Sequence, residues 1–485
     1  MMYNSIGELI LKNMALPPTA SQRTAIECCA EYLESTNPYS LFLLKGYAGT
    51  GKTFLMQAIT SAVEETGMRV ELMASTGRAA KQLEMTTGRT ATTIHRRIYR
   101  ATSASIEEGG SYKLVPRQDE PTLFIVDEAS MIGGESYEPT PFGSGNLLED
   151  LLSYVWDSEG CKLIMVGDSA QLPPIGSPIS DALNAEKLYQ VYGMQVYESE
   201  LREVVRQGET SGILSLATSL RNILIEYEGS APEELIPISF SLPKQGDINI
   251  LLGRDIIDTI DTCYRRYGRD ECLAITPSNK RALAFSQSIR GMVLDYEEEI
   301  GRGERLIVAR NNYHYTQRRD RSDFIANGEL IEVRKLHREM ELYDLRFADA
   351  TVYLPDRNDE LEVRLLLSGL ADEQAQRTQM QRTALYQALY ADYAHQRSIV
   401  DIRRSIRQDP FWGALEVKYG YAVTAHKAQG GQWSCIFVDL GMMSYLPNDL
   451  NMVRWLYTAI TRATKRVYLV NPPETLIEDW SYDDY

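Results

Sequence analysis

One short pattern restricts this chain more than any other: Gly46-Tyr-Ala-Gly-Thr-Gly-Lys-Thr53 fits G-x-x-x-x-G-K-[ST] in full. Directly before it, residues 41–44 form the apolar run Leu-Phe-Leu-Leu, the signal of a buried strand. Strand, glycine loop and helix in that order gather backbone N–H groups at a helix N-terminus, where anions bind. Gly46, Gly49 and Gly51 let the loop close around phosphates. Lys52 is placed to reach the β and γ phosphates, and the Thr53 hydroxyl to ligate Mg²⁺.

A second apolar run, Leu123-Phe-Ile-Val-Asp-Glu-Ala-Ser130, delivers two adjacent carboxylates at its carboxyl end. Asp127 suits Mg²⁺ and Glu128 suits polarising a water, which separates a hydrolase from a kinase that hands phosphate to a bound acceptor. A third run, Cys161-Lys-Leu-Ile-Met-Val-Gly-Asp-Ser-Ala-Gln-Leu-Pro-Pro174, also ends in polar residues and offers Gln171 as a sensor of the γ-phosphate. Functional residues repeated at strand ends predict an open parallel sheet with its ligand beyond the carboxyl edge.

The remaining composition sets limits. With 485 residues, of which 44% are apolar, the chain is long enough for several domains with real cores. It lacks an apolar run of membrane-spanning length, and Met-Met-Tyr-Asn-Ser-Ile-Gly-Glu does not read as a secretion signal, so a cytoplasmic location is expected, the host's cytoplasm for a viral chain. Six cysteines without Cys-x-x-Cys spacing suggest neither a zinc site nor a disulfide framework. A formal net charge of −17 argues against coating nucleic acid by bulk charge, but leaves a narrow basic groove open. The acidic end, Glu478-Asp-Trp-Ser-Tyr-Asp-Asp-Tyr485, reads as a solvated tail.

Gly46 to Thr53, Val126-Asp-Glu-Ala-Ser130 and Val166-Gly-Asp-Ser-Ala-Gln-Leu-Pro-Pro174 resemble motifs I, II and III of superfamily 1 helicases, in the superfamily 1B branch that includes Dda-like and RecD-like enzymes. Further stretches follow in the family's order. Gln22 resembles the glutamine that reads adenine. Ala74-Ser-Thr-Gly-Arg-Ala-Ala80, Thr92-Thr-Ile-His-Arg96 and Ala274-Ile-Thr-Pro-Ser-Asn-Lys280 resemble DNA-contacting motifs. Leu201-Arg-Glu-Val-Val-Arg-Gln207 resembles motif IV, which puts Arg206 toward the γ-phosphate. Tyr421-Ala-Val-Thr-Ala-His-Lys-Ala-Gln-Gly430 resembles motif V, and Leu456-Tyr-Thr-Ala-Ile-Thr-Arg-Ala-Thr464 motif VI, with Arg462 as the arginine finger. One departure is that many relatives carry an acid where this chain reads Gly430-Gly-Gln432, which puts a ribose contact there in doubt.

The resemblance implies an α/β fold with two RecA-like parallel-sheet motor domains in tandem. The first would comprise residues 1–98 and 122–199, with a hairpin pin at 99–121; Tyr99 or Tyr112 would be its aromatic wedge. The second would comprise 200–304 and 409–485, interrupted at 305–408 by an SH3-like β-barrel and a helical arm. Alternating runs such as Glu329-Leu-Ile-Glu-Val-Arg334 and Glu341-Leu-Tyr-Asp-Leu-Arg-Phe347, with Asn327-Gly328 as a turn, independently read as β-strands. From Asp372 to Gln408 helical spacing of Leu385, Tyr386, Leu389, Tyr390 and Tyr393 reads as one long helical arm whose tyrosines pack.

The implied activity is an ATP- and Mg²⁺-dependent DNA helicase moving 5′ to 3′ on single strands, in replication, repair or recombination. The implied partners are single-stranded DNA and junctions with duplex, with a single-strand-binding or replication protein as a companion; no membrane is involved and the chain is a monomer. Gripping a strand without reading bases needs small polar donors along its backbone, a role open to Thr76, Thr93, His95, Thr276, Asn279, Thr424 and His426. An RNA helicase or an inactive nucleic-acid-binding scaffold remain the alternatives.

Overall fold

The computed structural model describes residues 5–101, 112–116, 120–134, 142–177, 179–204, 211–227, 229, 234–242, 246–312, 314–315, 324–371, 375–396, 398–443 and 447–478. Its first unit contains β1 (Ser40–Gly46), β2 (Arg69–Ala74), β3 (Ala91–Thr93), β4 (Tyr99–Ala101), β5 (Tyr112–Leu114), β6 (Thr122–Asp127), β7 (Lys162–Gly167) and β8 (Gln195–Leu201). All but β4 and β5 form a wholly parallel sheet ordered β3-β2-β6-β7-β1-β8. Helices cover both of its faces, which is why β1, β6 and β7 read as continuous apolar runs rather than alternating ones. The expected strand ends therefore converge: the phosphate loop follows β1, Asp127 closes β6, and the Asp168–Gln171 stretch follows β7.

In the second unit β9 (Ile248–Leu251), β10 (Cys272–Thr276), β16 (Ala422–Thr424), β17 (Trp433–Asp439) and β18 (Ala463–Val470) make another parallel sheet, ordered β16-β10-β17-β18-β9. Between them β11 (Arg305–Val308), β12 (Leu330–Leu342), β13 (Leu345–Leu354), β14 (Asp359–Leu366) and β15 (Leu415–Tyr419) close into a barrel. The SH3-like insertion is thus present, but its last strand, β15, comes from beyond the helical arm. The run 341–347 is not one strand either. Tyr343 and Asp344 adopt φ 59° and 57° and turn β12 into β13. That turn needs left-handed backbone at both central residues, and no glycine announces it.

The barrel and the second sheet share one apolar core, in which Cys272, Phe437 and Val470 of the sheet sit with Leu306, Val333, Val352 and Val417 of the barrel. A separate core continues across the cleft, joining Ala170 and Leu172 of the first unit to Ile436, Val453, Leu456 and Tyr457 of the second.

The arm departs from expectation by breaking into two helices, Ala375–Asp392 and Ile399–Gln408. Ser398 caps the second, accepting from the Asp401 N–H at 3.1 Å, and Gln396 and Ser405 tie the two together at 2.7 Å. Leu385, Leu389, Ile402 and Ile406 pack with Leu345 and Phe347 of the barrel, joined by Tyr386 and Tyr393, so most of the tyrosine stripe is packing. Tyr390 is exposed.

The hairpin β4–β5 exists, but the aromatic wedge expected at Tyr99 or Tyr112 is corrected. Both rings are buried against Phe142, and the Tyr99 hydroxyl donates to Asp150 at 2.6 Å. Gly109, Gly110, Arg318 to Arg321 and residues 479–485 of the acidic end lie outside the described residues. Among the described residues no helix is long and apolar enough to cross a membrane.

Truncating a fully buried leucine leaves a cavity and typically costs about 2–5 kcal/mol. Leu389→Ala is therefore expected to loosen the arm, seen as accelerated amide hydrogen exchange across residues 375–408 while the first sheet keeps its protection.

Candidate active site between the two sheets

The phosphate loop is shaped by its glycines. Gly49 and Gly51 take φ 78° and 85°, and a Cβ on Gly46 would lie 2.9 Å from Thr50 Oγ1. A side chain at Gly46 would collide with Thr50, Leu201 and Lys52, so the tight turn of the loop requires glycine there. Thr19 and Gln22 form a capping box on the helix Ala20–Glu34, and Gln22 Nε2 also donates to the Thr50 carbonyl at 3.1 Å. Gln22 is buried with both ends of its amide engaged, so here it braces the loop.

Lys52, the first residue of the helix Lys52–Glu65, donates to the carbonyls of Gly46 and Tyr47 at 2.6 and 3.0 Å. Thr53 follows it on the same turn. Burial and the neighbouring Glu128 carboxylate push the Asp127 carboxyl well above its ordinary range. A divalent cation would supply the counter-charge that such a carboxylate needs, so Thr53 and Asp127 fit Mg²⁺. Glu128 sits in left-handed backbone at φ 52°, uncommon for a residue with a side chain.

The second unit completes the cleft. Arg462, buried at the end of the helix Leu450–Ile460, places Nη1 3.9 Å from Glu128 Oε1. It is held there by the carbonyls of Thr458 and Gly431 at 3.1 and 3.4 Å. Gln171 is buried, and its Oε1 has no hydrogen-bond partner among the described residues. An unsatisfied buried amide oxygen is costly unless something else meets it, which fits a group that enters the cleft.

Several residues that the sequence reading passed over lock the cleft shut. Tyr457 accepts from the Ala48 N–H and donates to Asp168 Oδ2, both at 2.8 Å. The Leu172 N–H donates to Thr458 Oγ1 at 2.9 Å, and Gln429 Nε2 donates to the Leu172 carbonyl at 2.7 Å. All of these lie inside the motif stretches quoted above, but the signal is a pairing across the chain that local spacing does not carry. Arg206 lies outside the described residues.

The residues expected on the nucleic-acid side are partly brought together. Thr76 caps the helix Gly77–Thr87, and a Cβ on Gly430 would lie 2.7 Å from its Oγ1, so the two units meet there at backbone distance. Next to this, Arg78 stacks on Trp433, with Cζ 4.4 Å from the ring centre. Thr424 starts the short helix Ala425–Ala428, His426 is held by the Pro173 carbonyl, and Asn279 is exposed at the start of the helix Asn279–Met292. Thr93 caps the helix Ile94–Ile98. Thr276 is a correction: it is fully buried, its hydroxyl bonded to the Ser278 carbonyl at 3.1 Å, and it presents nothing to a strand. His95 is taken up by an aromatic cluster of Tyr99, Phe142 and Phe324, with Phe142 4.9 Å away.

Fold and site together define a P-loop protein whose nucleotide cleft is shared between two RecA-like sheets. Residues 19–224 match the AAA domain family, and residues 419–470 match the UvrD-like helicase C-terminal domain. The chain is 33% identical over 183 residues to the ATP-dependent RecD2 DNA helicase of Deinococcus radiodurans, covering 36% of this chain and 22% of that protein. It is 30% identical over 190 residues to the ATP-dependent DNA helicase Dda of Enterobacteria phage T4, covering 38% of each. The chain therefore spans only about a fifth to two-fifths of the length of these relatives. These matches are consistent with the Dda-like and RecD-like branch of the superfamily 1B helicases. A crystal structure of a Pif1 helicase from Bacteroides in complex with ADP-AlF3 and single-stranded DNA aligns over 96% of this chain and 95% of that one, at 14% identity and a TM-score of 0.45.

Burial, outweighing the attraction of Asp150, lowers the pKa of His95 to about 4. Between pH 6.5 and 4 the unfolded chain binds a proton at this ring that the folded chain refuses, so folded stability falls as the pH drops through that window. The slope contributed is up to about 1.4 kcal/mol per pH unit, and thermal unfolding of His95→Phe across the window is expected to be correspondingly flatter than that of the wild type.

Proposed function

We propose that this chain is an ATP-dependent DNA helicase that moves along single-stranded DNA, in the 5′-to-3′ direction. The observation that carries this reading is Arg462 beside Glu128: the charge a P-loop domain lacks for phosphoryl transfer arrives from the other sheet. Lys52 holds the β and γ phosphates of ATP. Thr53 and Asp127 would hold Mg²⁺, which when bound would neutralise phosphate charge. Glu128 orients the attacking water and takes its proton, and Gln171 faces the γ-phosphate, a role that the family resemblance also assigns to Arg206. Arg462 offsets the charge that builds on the transferring group.

Hydrolysis removes the group that Arg462 and Lys52 both hold, which releases one sheet from the other. Thr76 and Thr93 on the first unit, and Asn279, Thr424 and His426 on the second, grip the strand backbone alternately through that cycle. The names of the relatives, DNA helicases, support DNA as the polymer, and the Gln-Leu-Pro-Pro stretch that begins at Gln171 supports the direction through the family resemblance alone. A single-strand-binding protein is the companion such a motor would meet.

The expected result is ATP hydrolysis stimulated by single-stranded DNA, with unwinding of duplexes that carry a 5′ tail. No stimulation by DNA or RNA would remove the motor reading; unwinding only from a 3′ tail would reverse the direction; preference for RNA would change the polymer. Lys52→Ala is expected to lower turnover by about 10²-fold or more while the far-UV circular dichroism is unchanged. Arg462→Ala is expected to lower it on the order of 10³-fold, with nucleotide affinity changed only a few-fold.

A further inference from the structure

Lys52 and Asp168 are opposite charges in the same cleft, yet Lys52 Nζ stands 3.9 Å from Asp168 Oδ2 rather than in hydrogen-bond contact. Asp168 is buried, and its other oxygen accepts the Ala170 N–H at 3.0 Å. A buried carboxylate with an ammonium within reach draws it in, because an unpaired charge away from water is costly. What engages Oδ2 instead is the Tyr457 hydroxyl at 2.8 Å, carried in from the second unit. The same hydroxyl accepts the Ala48 N–H of the phosphate loop, so its orientation is set on both sides. Burial and Asp168 push the phenol well above its ordinary range, which keeps it a donor at any working pH. Lys52 is left on the neutral carbonyls of Gly46 and Tyr47, partners it can exchange for phosphate.

We infer that Tyr457 is a positioning residue that keeps Asp168 from capturing Lys52, and that it does so only while the helix Leu450–Ile460 is seated against the phosphate loop. When the second unit is docked, the lysine is free for the triphosphate. When it swings away, Asp168 loses its donor and competes for the ammonium. Triphosphate affinity then reports the position of the second sheet, by a route separate from the arginine finger. The inference rests on the reading of this loop as an ATP site.

The test is equilibrium binding of the non-hydrolysable analogue adenylyl imidodiphosphate to the full chain, with Mg²⁺ present. Tyr457→Phe removes the donor to a charged acceptor and is expected to weaken binding about tenfold. Asp168→Asn keeps an acceptor for the Ala170 N–H and removes the charge, so in the Tyr457→Phe background it is expected to restore affinity to within about twofold of the wild type. On its own, Asp168→Asn is expected to leave binding within about twofold of the wild type, because the docked tyrosine already holds the carboxylate off the lysine, and a large loss in this variant overturns the inference independently of how the tyrosine variant folds. A tyrosine purely structural in role predicts the opposite pattern, with the losses of the two variants accumulating. That pattern, or a Tyr457→Phe protein that binds as tightly as the wild type, overturns the inference and leaves the ATP site standing. A wild-type chain that fails to bind the analogue overturns the ATP-site reading and the inference with it.

Discussion

The backbone of Leu172 is gripped from both sides by the second unit, its N–H by Thr458 and its carbonyl by Gln429, and the rest of the cleft depends on that grip. A phosphate loop at the edge of one sheet presents donors from one direction only, so half of any charge that develops on a phosphoryl group stays unanswered. Seating Leu172 brings Tyr457, Thr458 and Arg462 in together, because all three lie on or just past one short helix. The apolar core running through Ala170, Leu172, Leu456 and Tyr457 gives the contact its cohesion, while the hydrogen bonds fix its register.

What could be read from the sequence was what local spacing expresses. The glycines of the phosphate loop, the carboxylates at the end of β6 and the run before Gln171 each sit within a few residues of the strand that positions them, so pattern and geometry coincide. The parallel sheets followed from the same runs, since a strand buried on both faces cannot alternate. Arg462 was reached only through resemblance; no spacing rule connects it to Glu128.

Where the reading failed, the deciding partner was distant in the chain or the local chemistry was unusual. β15 closes the barrel against β11 after an intervening arm, a pairing invisible to periodicity. Tyr343 and Asp344 make a turn that normally advertises itself with glycine or asparagine. The arm's first helix ends at Asp392 and its second begins at Ile399 although no proline or glycine marks the place, because Ser398 offered a cap. The resemblance offered Tyr99 or Tyr112 as an aromatic wedge; Phe142 and Asp150, from other elements, buried them.

The core shared by the barrel and the second sheet has a mechanical result. With Leu306, Val333 and Val417 packed among Cys272, Phe437 and Val470, the barrel has no joint at its base. β12 is 13 residues long and carries the folded-back arm near its tip, and its part beyond Val333 reaches roughly 30 Å from that root. A beam of that length is a pointer: each degree by which its root turned would carry the tip through roughly 0.5 Å.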